Sequence, residues 1–250
     1  MARGSARRAF TVVEVSICLV VVAVLLAVLL PFMLQARASA KMTTCSSNLR
    51  QFSAAWATIL ERSNEFPAIS GDPAWSYGGV EFLGLDRQMH LASGRPLNQE
   101  VADETRWSLE SVNLLYRCPA DYGALDGKER ATEGRLFDIF GTSYPANPLL
   151  LAGTNAAGEP HRPLRLGSVT LPADRLILMG DAEWYLYAAD RKLPGDERSL
   201  TSPWHGSDHL GNVLMLDYSV KTVRFQRGES ADYLFNIISP AVPPGGDPMP

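Results

Sequence analysis

Twenty-two consecutive residues, Val15 to Ala36, carry no charge, and this run constrains the chain more than any other feature. Between Val15 and Leu34 the only polar side chain is Ser16. A helix of about 20 apolar residues spans the roughly 30 Å hydrocarbon core of a bilayer. Arg3, Arg7 and Arg8 precede the run, so the positive-inside rule places the N-terminus in the cytoplasm and the rest of the chain outside. The first 34 residues carry a net +2 and the remainder −6, within a total of −4. A mildly acidic body argues against nucleic acid as a partner, which usually needs a basic face. With 46% apolar and 20% charged residues, the chain can build a packed core.

Past Leu34 the apolar pattern becomes periodic. Met42, Cys45, Leu49, Phe52, Trp56 and Ile59 recur at spacings of three and four, the signature of one apolar helical stripe. Arg37, Lys41, Arg50 and Glu61 lie mostly off that stripe, and Asn64 and Pro67 end it. One helix from Phe10 to Arg62 would be about 80 Å long at 1.5 Å per residue. Its first half is apolar all round, and its second half has one face for a globular domain. Pro31 removes a backbone hydrogen bond and is expected to kink or locally melt the helix.

Three export readings compete for the N-terminus. Ala36-Arg37-Ala38 and Ala38-Ser39-Ala40 fit secretory cleavage sites, but the apolar run exceeds the 7–15 residues of an ordinary signal. Val15-Ser16-Ile17-Cys18 resembles a lipobox only loosely, because Ile17 is not small and Cys18 sits near the start of the run. Neither explains Glu14, an acid that is costly at the edge of a membrane helix. The stretch Ala9-Phe10-Thr11-Val12-Val13-Glu14 resembles the prepilin signal of type IV pilins and type II secretion pseudopilins. That resemblance implies cleavage between Ala9 and Phe10 by a prepilin peptidase, N-methylation of Phe10, and an assembly role for Glu14. Ala9 stands where the family usually has Gly, and Pro31 stands where it commonly has a proline.

The rest of the chain is read as a body over 63–238 and a Pro/Gly-rich tail over 239–250 that is expected to be disordered. Residues 66–103 read as a long irregular segment, 104–116 as a short helix, and 121–135 and 153–165 as loops. Arg175–Asp181 and Trp184–Ala189 read as strands, and Asn212–Leu216 with Val220–Phe225 as a hairpin turning at Asp217-Tyr218-Ser219. Cys45-Ser46-Ser47-Asn48-Leu49-Arg50-Gln51, Cys118-Pro119-Ala120-Asp121 and Leu176–Asp181 together resemble landmarks of the large prepilin-like family with a C-terminal H-x9-DG motif, DUF1559. The motif itself is degraded here. Eleven residues separate His205 from Asp217, His209 leaves only seven, and Tyr218 replaces the Gly.

Candidate chemistry is sparse. Cys45 and Cys118 lie in the exported part and can form one bridge, or remain two buried thiols; Cys18 sits within the apolar run. No Cys/His cluster has zinc spacing, and no metal is assigned. His205, His209 and Asp217 carry side chains that could ligate a metal, but without ordered ligand spacing they read as a polar loop and turn, with Asp217 bonding backbone amides. Asp181, Glu183, Asp208 and Asp217 are acids open to calcium, but no EF-hand-like pattern joins them, and no other cofactor is expected. GxSxG, HExxH, GxGxxG and P-loop motifs are absent, His90 and His161 stand alone, and no enzyme is expected. Trp184, Tyr185 and Tyr187 could line a carbohydrate or partner surface, though such a run is more often half-buried strand.

The expected architecture is α+β and pilin-like: a basic leader over 1–9, a membrane-spanning or filament-core helix over 10–36, its amphipathic continuation over 37–62, and a small antiparallel sheet with long loops. The resemblance implies a filament subunit held in the inner membrane, with its N-terminus cytoplasmic and its body periplasmic, and with the prepilin peptidase and other pilin or pseudopilin subunits as partners. The alternative is a membrane-tethered module that binds glycan, calcium or a partner protein and uses the helix only as an anchor.

Overall fold

A run rich in good helix formers and β-branched residues, with no glycine and the single proline Pro31, gives one long helix, α1, Val12–Ser63. The computed structural model describes residues 12–69, 71–83, 88–92, 94–101, 114–151, 164–206 and 209–227. These residues belong to two units that divide between Ala40 and Lys41. The leader, Ala9, Phe10, Asp208, His161 and the tail over 239–250 lie outside the described residues.

In the first unit, α1 carries apolar side chains on every face between Leu19 and Leu34. Its large side chains from Val12 to Leu34 are 49 to 83% exposed. The helix is long and apolar enough to cross a membrane. It continues through Pro31 without a break.

In the second unit, the remainder of α1 turns one stripe inward. Cys45, Asn48, Leu49, Phe52, Ala55, Trp56, Ile59 and Leu60 are buried. Asn64 ends the helix in the left-handed conformation, φ 53°, and donates its N–H to the Leu60 carbonyl at 2.8 Å. Asparagine tolerates that conformation, which is why it serves as a helix terminator. The stripe meets aromatic side chains of the body. Phe52 lies 4.9 Å from Tyr116 and 5.7 Å from Tyr144 between ring centroids, and Trp56 lies 6.0 Å from Tyr77. Trp56 also donates its indole N–H to Met179 Sδ at 3.2 Å.

Among the described residues, three small antiparallel sheets complete this α+β unit. Strands β1 (Val80–Leu83) and β2 (Gln88–Leu91) pair, and helix α2 (Pro96–Val101) follows. This corrects the expectation of an irregular segment over 66–103. Side-chain bonds to the backbone, which leave no trace in hydrophobic periodicity, close it. Asn98 accepts from the Gly79 N–H at 2.8 Å and donates to the carbonyls of Gly79 and Ala92 at 2.7 and 2.8 Å. Arg95 Nη1 donates to the carbonyls of Gly78, Trp75 and Phe140. Two-residue strands β3 (Leu125–Asp126) and β4 (Glu129–Arg130) form a hairpin inside the expected loop over 121–135, and α3 (Leu136–Phe140) follows. Of the expected helix over 104–116 only 114–116 is described, and it is helical.

A three-stranded sheet has the order β5–β6–β7, formed by Ile177–Gly180, Leu210–Met215 and Val220–Arg224. The expected β6–β7 hairpin is present, with Leu214 opposite Val220 and Leu210 opposite Arg224. The expected strand over Trp184–Ala189 is instead a single π-helical turn, Trp184–Ala188, closed by the Ala189 N–H on the Trp184 carbonyl at 2.9 Å. Trp184, Tyr185, Leu186 and Ala188 are all buried. An apolar run that packs on several sides has no reason to alternate, and strand propensity alone does not decide its form.

Candidate functional site

Two features stand out: the exposed apolar first half of α1, and a buried polar cluster in the body. The cluster is built by four separate segments. The inward stripe of α1 presents Cys45. The turn after helical residues 114–116 presents Cys118. The end of β5 presents Asp181, and the loop before β6 presents His205. Cys45 and Cys118 are joined in a disulfide, with an S–S distance of 2.20 Å and Cα atoms 5.4 Å apart.

Asp181 extends the β5–β6 pairing, since its N–H donates to the Asn212 carbonyl at 2.9 Å. Its Oδ2 accepts from the Asn212 N–H at 2.7 Å and from Asn212 Nδ2 at 3.2 Å. The same Oδ2 lies 3.1 Å from His205 Nε2, and both side chains are 1% exposed. His205 Nε2 is also 3.6 Å from Cys118 Sγ. Asp181 Oδ1 and His205 Nδ1 are buried with no hydrogen-bond partner. One donor atom from each of Cys45, Cys118, Asp181 and His205 lies within 4.8 Å of every other.

Neighbouring side chains bond this cluster to the strands and to α1. Asn212 is fully buried and also donates to the Met42 carbonyl at 3.3 Å, while its Oδ1 accepts from Thr222 Oγ1 at 2.8 Å. It therefore ties α1, the end of β5 and β7 together. Gly180 permits the close approach of β5 and β6, because a Cβ there would lie 2.7 Å from the Asn212 carbonyl oxygen and 2.9 Å from Trp184 Cδ1. Asn48 donates to the Leu114 carbonyl at 3.2 Å and to the Tyr144 hydroxyl at 3.1 Å. Burial first, and then the charge of Asp181, push the Tyr144 hydroxyl well above the ordinary tyrosine value, so it remains protonated.

A second histidine–carboxylate pair lies nearer the surface. His209 Nδ1 bonds Glu183 Oε1, and Glu183 Oε2 accepts the Ser202 N–H. His209 is 32% exposed and Glu183 is 1% exposed. The His209 ring stacks on Tyr187 with centroids 3.8 Å apart. Neither histidine pairs with Asp217. That side chain closes the β6–β7 turn, accepting from the Ser219 N–H at 2.9 Å and the Ser219 hydroxyl at 2.6 Å. His205 and Asp217 thus do not form one site.

Asp121, from the Cys-Pro-Ala-Asp stretch, caps α3. Its carboxylate accepts from the N–H groups of Leu136 and Phe137 at 3.1 and 2.9 Å, from the Gly123 N–H at 2.9 Å and from the Ser143 hydroxyl at 2.6 Å. Burial nevertheless dominates these bonds and raises its pKa above the ordinary aspartate value.

The sequence named Cys45 and Cys118 as partners but did not join them to Asp181 and His205. No spacing signal could have done so, because the four come from segments brought together only by the β5–β6 register and the packing of α1. Glu14 and Pro31 lie in the first unit. No family model matches the chain, and no curated protein or solved structure matches it either.

Proposed function

We propose that this chain is a structural subunit of a type IV pilus-like or type II secretion pseudopilus-like filament, processed by a prepilin peptidase and held in the inner membrane before assembly. One observation carries the reading: α1 keeps an all-round apolar surface exposed from Val12 to Leu34. Water does not tolerate a contiguous apolar surface of that size. Lipid covers it before assembly, and the apolar helices of sister subunits cover it afterwards.

Glu14 distinguishes a filament subunit from a plain anchor. A carboxylate in a membrane-spanning helix is costly and is retained where it does something. In a filament it pairs with the methylated amine of Phe10 on a neighbouring subunit and sets the axial register. The basic residues Arg3, Arg7 and Arg8 hold the leader in the cytoplasm, where the peptidase cuts between Ala9 and Phe10.

The test compares wild type with Glu14→Leu in the native host. Membrane insertion is expected to persist while cross-linked multimers disappear. Multimers that survive the change would leave the helix as an anchor for a tethered binding module. N-terminal sequencing of the mature protein is expected to begin at methyl-Phe10, and a start at Ser39 or Lys41 would overturn the prepilin route.

A further inference from the structure

We infer that Cys45, Cys118, Asp181 and His205 form a divalent transition-metal site, of the zinc class, whenever the Cys45–Cys118 bond is reduced. The site lies in the body and does not depend on whether the anchor serves a filament.

The donor set points to this cation. Two thiolates, an imidazole and a carboxylate suit zinc and related borderline-soft ions better than calcium or magnesium, which prefer all-oxygen ligands. The geometry agrees. Zn–S bonds of about 2.3 Å and Zn–N or Zn–O bonds of about 2.0–2.1 Å set tetrahedral edges of roughly 3.3 Å for N···O, 3.6 Å for S···N and 3.8 Å for S···S. His205 Nε2 already lies 3.1 Å from Asp181 Oδ2 and 3.6 Å from Cys118 Sγ. The sulfur pair is the contact that must open.

The carboxylate gives a second pointer. Asp181 is withdrawn from solvent, yet its Oδ1 has no hydrogen-bond partner. Buried polar atoms are nearly always satisfied, and an exception calls for strain, a redox or catalytic role, or a bound water or ion. A cation bound between these side chains would offset the desolvation of the carboxylate.

The chemistry balances as follows. A dithiol or phosphine reductant gives two electrons to the S–S bond, which breaks, and two protons complete the Cys45 and Cys118 thiols. The metal ion then displaces both thiol protons to solvent. The imidazole proton resides on Nδ1, and Nε2 supplies its lone pair to the metal together with two thiolates and one Asp181 oxygen. Disulfide and metal are mutually exclusive occupants of one place, and each ties α1 to the Cys118 segment. Reduction in the presence of the metal therefore leaves the helix fastened to the body.

The test uses the whole protein in detergent with Cys18→Ser, so that only these two cysteines remain. The phosphine-reduced protein is titrated anaerobically with Co2+ and then Zn2+. Expected are one Co2+ per chain, a tetrahedral d–d spectrum with thiolate-to-cobalt charge transfer, and displacement by Zn2+; the oxidised protein gives no such spectrum. His205→Ala and Asp181→Asn are expected to weaken binding by more than the roughly 10–100-fold that an outer partner is worth. Equal binding by the oxidised and reduced forms, or a thiolate–cobalt spectrum indifferent to both substitutions, overturns the site. If the variants do not fold when oxidised, alkylation of the reduced protein decides: Zn2+ is expected to slow modification of Cys45 and Cys118, and unchanged rates refute binding.

Discussion

Removing the Cys45–Cys118 bond should cost the body several kilocalories per mole. The two cysteines are 73 positions apart, and cross-linking removes loop-closure entropy from the unfolded chain. The loop-entropy relation gives about 4 kcal/mol for such a loop at 25 °C. For a unit of roughly 150–250 residues, 1 kcal/mol moves the thermal midpoint by ~2–4 °C, so the expected drop is roughly 8–16 °C. The measurement is near-UV circular dichroism during heating, with the protein in detergent and a chelator present so that no metal replaces the bond. Oxidised and phosphine-reduced wild type are compared with Cys45→Ala/Cys118→Ala. The double variant should melt near the reduced wild type, shifted further by the packing lost at two buried positions, and should not respond to reductant. Midpoints within about 2 °C for oxidised and reduced wild type would refute the reasoning, because the unfolded chain would then gain nothing from release. Intact mass before and after reduction fixes the starting state.

Other substitutions probe the surroundings. Gly180→Ala places a methyl against the Asn212 carbonyl and Trp184, and is expected to lower stability by roughly 1–3 kcal/mol in chemical denaturation. Trp56→Ala empties a fully buried site between Tyr77 and Met179 and should cost about 3–5 kcal/mol by the same measurement. Asp121 gives a pH signature. Burial raises its folded pKa, so the native state binds its proton more readily than the unfolded state does. That contribution is complete below the unfolded value and is lost as pH rises through the folded one. The stability of wild type minus that of Asp121→Asn should therefore increase as pH falls from 7 to 4. A decrease would mean that the bonds from Leu136, Phe137 and Ser143 outweigh burial.

The parts of the fold legible in the sequence are those where burial is one-sided and regular. Met42, Cys45, Leu49, Phe52, Trp56 and Ile59 mark the stripe of α1 because one face packs and the other does not. Strands β6 and β7 show because a short polar turn separates an apolar run, Val213–Leu216, from the alternating run Val220–Phe225. Asn98 and Arg95 fold their segment through bonds to main-chain carbonyls, and a polar residue that acts this way looks like any other loop residue. Trp184 to Ala188 mislead for the opposite reason, since burial on several sides erases the period that distinguishes strand from helix.

The histidines show why spacing along the chain was the wrong variable for the buried site. His205 and Asp217 flank β6, so a motif counted between them is sensitive to each residue gained or lost in the intervening loop. In the fold, His205 pairs with Asp181, whose position is fixed by hydrogen bonds to Asn212 across the β5–β6 ladder. The loop that carries His205 can vary in length while the histidine still reaches that carboxylate, whereas a one-residue slip of β5 against β6 would turn Asp181 to the opposite face. Strand register should therefore govern the cluster. Inserting one glycine before His209 is expected to leave the His205–Asp181 contact intact and to disturb the His209–Glu183 pair instead. Histidine proton resonances separated in a His90→Gln/His161→Gln background can follow each ring. Loss of the His205 signal pattern with retention of that of His209 would contradict control by register.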